Sequence, residues 1–150
     1  MMTKRQKIIV AKFIFVGVIT AAAAFTMINV KDFINRKEGM LAMTQLGQHI
    51  FEYRKEHGSL PAESYIKKFK ENLEGRVRLG DVTYRAIWVT IDSGDDTILA
   101  YTEKRYHSLY LKSGYILLRL NGKVEWMETN QFETLLASQQ SLEEIKTTQK

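Results

Sequence analysis

Residues 13–30 read FIFVGVITAAAAFTMINV, an uncharged run of eighteen positions whose fate decides the rest of the chain. As a helix rising about 1.5 Å per residue they extend roughly 27 Å, close to the hydrocarbon thickness of a bilayer. The shorter apolar stretch Ile8 to Ala11 precedes them, with Lys12 between. The alkyl stem of that lysine can lie along a helix while its ammonium reaches the headgroups. Lys4, Arg5, Lys7 and Lys12 place four positive charges and no acid in residues 1–12. A basic flank of this kind stays in the cytoplasm and sends the chain beyond Val30 across the membrane. The reading adopted is therefore a basic cytoplasmic tail over 1–12 and a transmembrane helix over 13–30. Two others stay open. A cleavable secretory signal would use Phe13 to Ile19 as its apolar core and Ala21 to Ala24 as its small-residue cleavage site. A soluble protein could also bury the run as a core helix.

Working outward, 150 residues with a single proline suit one small domain and an appendage, not two large domains. The chain has no cysteine, which removes disulfides, thiolate zinc sites and cysteine nucleophiles together. The net charge is +5, from 22 Lys and Arg against 17 Asp and Glu. Since four of those cations precede the apolar run, the other 138 residues carry 18 basic and 17 acidic groups. Without a basic stripe on the folded part, nucleic acid is not an expected partner.

Residues 31–57 contain no proline, and Met40, Met43, Leu46, Ile50 and Tyr53 recur at steps of three and four. That spacing predicts an amphipathic helix continuing out of the bilayer, with Arg36, Gln45, Glu52 and Lys55 on its opposite face. Gly58 is the expected stop, and Pro61 prevents resumption. Gly39 and Gly47 each weaken the helix by about 1 kcal/mol relative to alanine, so it needs a following domain to pack against.

Beyond a short basic segment from Ser64 to Leu73, the period changes to two. Val82, Tyr84, Ala86 and Trp88 alternate with Thr83, Arg85 and Ile87, which predicts a strand running through Ile91. Residues 97–102, TILAYT, read as a second strand. The strongest local signal is YILLRLNGKVEWM, Tyr115 to Met127, where Asn121 and Gly122 are expected to form a type I′ turn between two strands. Thr129 or Asn130 can then cap a short helix with Phe132, Leu135 and Leu136 on one face, before a polar tail. The expected fold class is α+β: a long N-terminal helix packed on an antiparallel sheet of about four strands, with a short C-terminal helix. Its divisions are 31–57 for the amphipathic helix, 58–138 for an extracytoplasmic α+β domain and 139–150 for the polar tail.

A membrane-length run merging into an amphipathic half, with Leu46, Tyr53, Gly58 and Pro61 in GQHIFEYRKEHGSLP, resembles the pilins and pseudopilins of type IV pilus and type II secretion systems. The C-terminal half, DTILAYTE followed by His107 and GYILLRLNGKVEWMETNQFETLLA, is similar to the end of planctomycete-type prepilin-like proteins. Those carry a histidine ahead of an Asp-Gly-His turn; here Asn121, Gly122 and Lys123 stand at the turn, and His107 lies further from it. The resemblance implies a single-pass bacterial inner-membrane subunit or accessory protein, built for assembly and not catalysis. Its partners would be the lipid bilayer and like or related pilin-type subunits, with no small-molecule substrate. A membrane-tethered or secreted binding module with the same fold is the alternative. The chain also departs from prepilins at its N-terminus. They place a glycine before the apolar run and a glutamate five residues after it, whereas Gly17 is followed by Val18, Ile19, Thr20, Ala21 and Ala22, and the first acid is Asp32. In the bilayer, Gly17 and the alanines Ala21, Ala22, Ala23 and Ala24 would allow close helix approach.

Candidate chemistry is sparse. His49 and Glu52 lie three apart on the helix and His57 follows Glu56, but zinc needs three or four converging ligands and no second cluster is legible. Asp92, Asp95 and Asp96 offer hard oxygen ligands, and the resemblance adds calcium as a candidate, because major pseudopilins bind it in a loop near their sheet. The three lack the ligand ladder of a calcium hand, and turn formation and capping account for them without an ion. Ser108 directly follows His107 without a nucleophile elbow or separate base. The sequence thus predicts no catalytic residues, no resident cofactor and no metal beyond that calcium candidate. Tyr84, Trp88, Tyr101, Tyr115 and Trp126 read as core and sheet-face residues, not a stacking platform for bases.

Overall fold

The structure, a computed structural model, describes residues 3–73, 76–90, 92–106, 108 and 110–148. Its elements run in the order α1 (Lys4–His57), α2 (Glu63–Glu71), α3 (Arg76–Leu79), β1 (Thr83–Tyr84), β2 (Ile98–Lys104), β3 (Gly114–Arg119), β4 (Val124–Glu128), α4 (Thr129–Gln139) and α5 (Leu142–Thr148). The apolar run and the amphipathic segment form one uninterrupted helix of 54 residues, about 80 Å at 1.5 Å per residue. Gly58 ends it at φ 72°, a left-handed conformation that glycine adopts without a Cβ clash, and its N–H donates to the Arg54 carbonyl.

The four strands form an antiparallel meander in the order β1-β2-β3-β4. One face receives the second half of α1: Ala42, Met43, Leu46 and Ile50 pack with Leu99, Ala100, Ile116 and Leu118. The other is covered by α4, whose Phe132 packs with Ile98 and Leu117. This arrangement explains why β3 reads ILL without alternation: Leu117 faces one layer while Ile116 and Leu118 face the other. Each fully buried Leu, Ile or Met contributes roughly 2 kcal/mol by leaving water. The two glycines that weaken α1 locally sit at its closest approaches to the sheet. A Cβ on Gly39 would come within 2.9 Å of Ile116 Cδ1, and one on Gly47 within 2.8 Å of Leu118 Cδ1.

Four expectations need correction. The strand expected over 82–91 is confined to Thr83–Tyr84 and is followed by a single 3₁₀ turn, Ala86–Trp88; Ile91 lies outside the described residues. The cause is Arg85, whose N–H still donates to Leu99 O at 2.8 Å but whose ψ of 16° turns the chain out of the sheet. The hairpin at Asn121 and Gly122 exists, but its turn is not type I′, because only Gly122 has positive φ. Gly122 N–H donates to Arg119 O and Arg119 N–H to Lys123 O, giving a three-residue loop that ends in a left-handed glycine. Asn121 is held out of the left-handed region because its N–H donates to Asp95 O and its side chain accepts from Lys123 N–H. The helix α4 begins after Glu128, so Thr129 and Asn130 lie inside it and neither caps it.

The fourth correction concerns 139–150, read as a polar tail. Residues Leu142–Thr148 are helical, and Glu144 is buried against Arg85, both 2% exposed. Arg85 Nε and Nη2 donate to the two Glu144 carboxylate oxygens at 2.6 and 2.9 Å, while Nη1 and Nη2 also donate to Ile98 O and Gln139 O. A buried guanidinium needs all these acceptors to offset its lost hydration.

Candidate functional site

Among the described residues, the first half of α1 touches nothing else in the fold except near its end. Its most apolar eighteen-residue window has a mean hydropathy of 2.4 and no buried residue. Phe13, Ile14, Phe15, Val16 and Val18 are all more than 60% exposed, and around Gly17 nothing lies within 4 Å of where a Cβ would stand. A buried core helix would not look like this, so that reading fails: among the described residues one helix, near the N-terminus, is long and apolar enough to cross a membrane. The polar side chains along it are satisfied by its own backbone. Thr20 Oγ1 donates to Val16 O, Thr26 Oγ1 to Ala22 O and Asn29 Nδ2 to Phe25 O. Hydrocarbon, which offers no hydrogen bonds, demands this of any spanning segment. Gly17 and Ala21 to Ala24 remain exposed, leaving a small-residue surface where another helix can approach.

The loop between β2 and β3 meets α1 where the apolar run ends. Ser108 N–H donates to Asp32 Oδ2 at 2.8 Å, and the Ser108 hydroxyl donates to Asn29 Oδ1. Asp32 is only 7% exposed. Tyr110 sets its ring edge-on to Phe25, with centroids 6.1 Å apart. Behind the loop, Tyr106 packs on Trp126, and Arg36 lies 4.4 Å from the Trp126 ring centre. Burial pushes the Tyr106 phenol up to about 12, against the opposing pull of the Arg36 cation. Sequence reading missed this junction, taking Asp32 merely as the first acid after the run. The available signal was Asn29 and Asp32, three residues apart and hence on one helical face.

The remaining candidates are dispersed. His49 stacks on Phe69 at 3.6 Å between centroids, with its ring nitrogens near Tyr65 Oη and Glu52. His57 stacks on Tyr53, and its Nδ1 lies 3.1 Å from the Tyr53 carbonyl, so the two histidines belong to an aromatic cluster joining α1 and α2. His107 lies outside the described residues. Among the described residues no three His, Cys, Asp or Glu converge as metal ligands. Asp95 O and Asp96 O accept from Asn121 N–H and from Arg119 Nη1 and Gln139 Nε2, which commits the loop that carries Asp92, Asp95 and Asp96 to holding the hairpin. At the far end of α1, an open groove of about 610 Å³ is lined by Arg54, Pro61, Tyr84, Ile87, Thr90 and Asp95, among others. The hydroxyl of Ser93, which also lines it, accepts from Thr90 N–H.

No protein-family model, no curated protein and no solved structure matches the chain.

Proposed function

We propose that the protein is a single-pass, pilin- or pseudopilin-like structural subunit or accessory protein of a type II secretion or type IV pilus-like system. Its N-terminus faces the cytoplasm, its α+β domain lies outside the bacterial inner membrane, and it acts by helix packing, not catalysis. One observation carries the reading: a single 54-residue helix is bare and apolar over its first half and clamped by a four-stranded sheet over its second. The bare half supplies an anchor and a surface for neighbouring helices, while the clamped half transmits their spacing to the domain. The four cations before the run support the orientation.

Asp32 favours a second reading, a tethered module of the same fold that does not polymerise. The first acid after the apolar run is turned inward to the chain's own Ser108. It is thus engaged within the subunit that carries it.

Because the chain has no cysteine, single cysteines introduced along 13–30 give a clean crosslinking assay in native membranes. Ladders from residues on one helical face are expected for the assembling subunit. Monomers at every position would leave the tethered module, and a protein released without detergent would overturn both the membrane subunit and the tethered module and leave only a secreted form.

A further inference from the structure

The loop between β2 and β3 does more than join two strands. Tyr110, at its tip, is 78% exposed, yet its ring rests against Phe25, a residue of the apolar run. Exposed apolar side chains continue along α1 past that contact through Met27, Ile28 and Val30 and, beyond the exposed Lys31, through Phe33 and Ile34. Ile34 lies nine residues beyond Phe25, about 13 Å further along the axis. The loop tip therefore meets the helix inside the band of apolar surface, not beyond it. Whatever solvent surrounds Val30 and Phe33 also reaches Tyr110.

An irregular loop at that depth must hide its backbone polar groups. Ser108 does this. Its Oγ accepts from Tyr110 N–H at 3.1 Å and from Leu111 N–H at 3.3 Å, while its own N–H is taken by Asp32. Its hydroxyl hydrogen goes to Asn29. The N–H groups of Ser108, Tyr110 and Leu111 are thus met without water, and the acceptors on α1 are Asn29 and Asp32. The tyrosine itself has an apolar ring and a hydroxyl at its tip, the amphipathic form enriched at membrane–water boundaries.

The geometry points to the loop carrying Ser108, Tyr110 and Leu111 as a membrane-interface anchor, with Tyr110 inserted among phospholipid headgroups beside Phe25. It gives the domain a second attachment to the bilayer besides α1. That fixes the rotation of the domain about the helix axis and the depth at which α1 leaves the lipid. The inference rests on the reading of 13–30 as a membrane span.

The test uses the full chain in phosphatidylcholine vesicles, with one nitroxide on an introduced cysteine per sample: Phe15→Cys in the middle of the run, Tyr110→Cys at the loop and Ile87→Cys at the far end of the domain. Collision with dissolved oxygen and with a water-soluble nickel chelate gives the depth of each label. The expected result is a label deep in lipid at 15, at headgroup depth at 110 and in water at 87. At 110 the chelate accessibility should be several-fold below that at 87. A label at 110 as water-exposed as that at 87, with 15 still deep, overturns the anchor and leaves the span intact. A label at 15 in water overturns both. Lys112→Cys, whose side chain is 75% exposed on the same loop, provides the reading should the substitution at 110 disturb the Phe25 contact.

Discussion

Arg85 and Glu144 stand 59 positions apart, and each is almost wholly withdrawn from water, joined by two charge-assisted hydrogen bonds of 2.6 and 2.9 Å. The pair is the point where β1 ends and where the C-terminal helix is drawn back onto the sheet. Removing one partner strands a buried charge, whereas replacing both removes the desolvation cost together with the attraction. Glu144→Ala is therefore expected to cost about 3 kcal/mol in urea unfolding of the detergent-solubilised chain. Arg85→Met combined with Glu144→Leu should recover most of it. A single-substitution cost indistinguishable from zero would mean that α5 is not held as described.

Two glycines separate backbone overlap from side-chain overlap. A Cβ on Gly114 would lie 2.7 Å from Trp126 Cζ2 and run into the Met127 carbonyl oxygen, which cannot retreat without breaking the β3–β4 ladder. Gly114→Ala should destabilise by about 2–3 kcal/mol. At Gly47 the nearest atom is the tip of Leu118, 2.8 Å away, and the gain of about 1 kcal/mol in helix propensity offsets its displacement. Gly47→Ala should change stability by less than about 1 kcal/mol. Thermal melts of both variants, run side by side, check the ordering.

Alkaline pH should loosen the domain through two tyrosines. The hydroxyls of Tyr84 and Tyr106 are buried without a hydrogen-bond partner among the described residues, and burial raises both phenols above their ordinary value of 10.0, Tyr106 to about 12. A raised folded value means that the native state holds its proton while the unfolded chain has lost it. The associated stability is complete below pH 10 and is lost as pH rises towards 12. Phenolate absorbance should show two of the seven tyrosines titrating only as the fold opens. Tyr106→Phe should flatten the alkaline loss and, having no hydroxyl to desolvate, be neutral or up to about 1 kcal/mol more stable at pH 7.

Calcium should leave the melting temperature unchanged against a chelator. The Asp95 and Asp96 carbonyls already accept protein donors, and the Arg119 guanidinium lies 4.0 Å from the Asp96 carboxylate, where it would repel a divalent ion. A cation that bound the native fold selectively would raise the midpoint, so an increase of several degrees would restore Asp92, Asp95 and Asp96 as ligands.

Much of the fold is a property of local pattern. The step of three and four through Met43, Leu46 and Ile50, the stop at Gly58, the strand expected over 97–102 and found at Ile98–Lys104, and the hairpin around Gly122 are each legible within a few residues, because helix and turn preferences are short-range. The same holds for residues 13–30, whose length and lack of charge mark them as able to span a bilayer. Tertiary structure decided the rest. Arg85 sits in an alternating pattern that reads as strand, and only a carboxylate from the far end of the chain turns it inward. Gly39 and Gly47 read as helix weaknesses until β3 is laid against them. Asn29, Asp32 and Ser108 carry no motif at all: an aspartate and a serine 76 positions apart become partners because a loop and a helix arrive at the same place. Sequence spacing records which residues share a face of one element, but a buried polar contact between elements is chosen by the need to satisfy lost hydration wherever the chain brings donors and acceptors together.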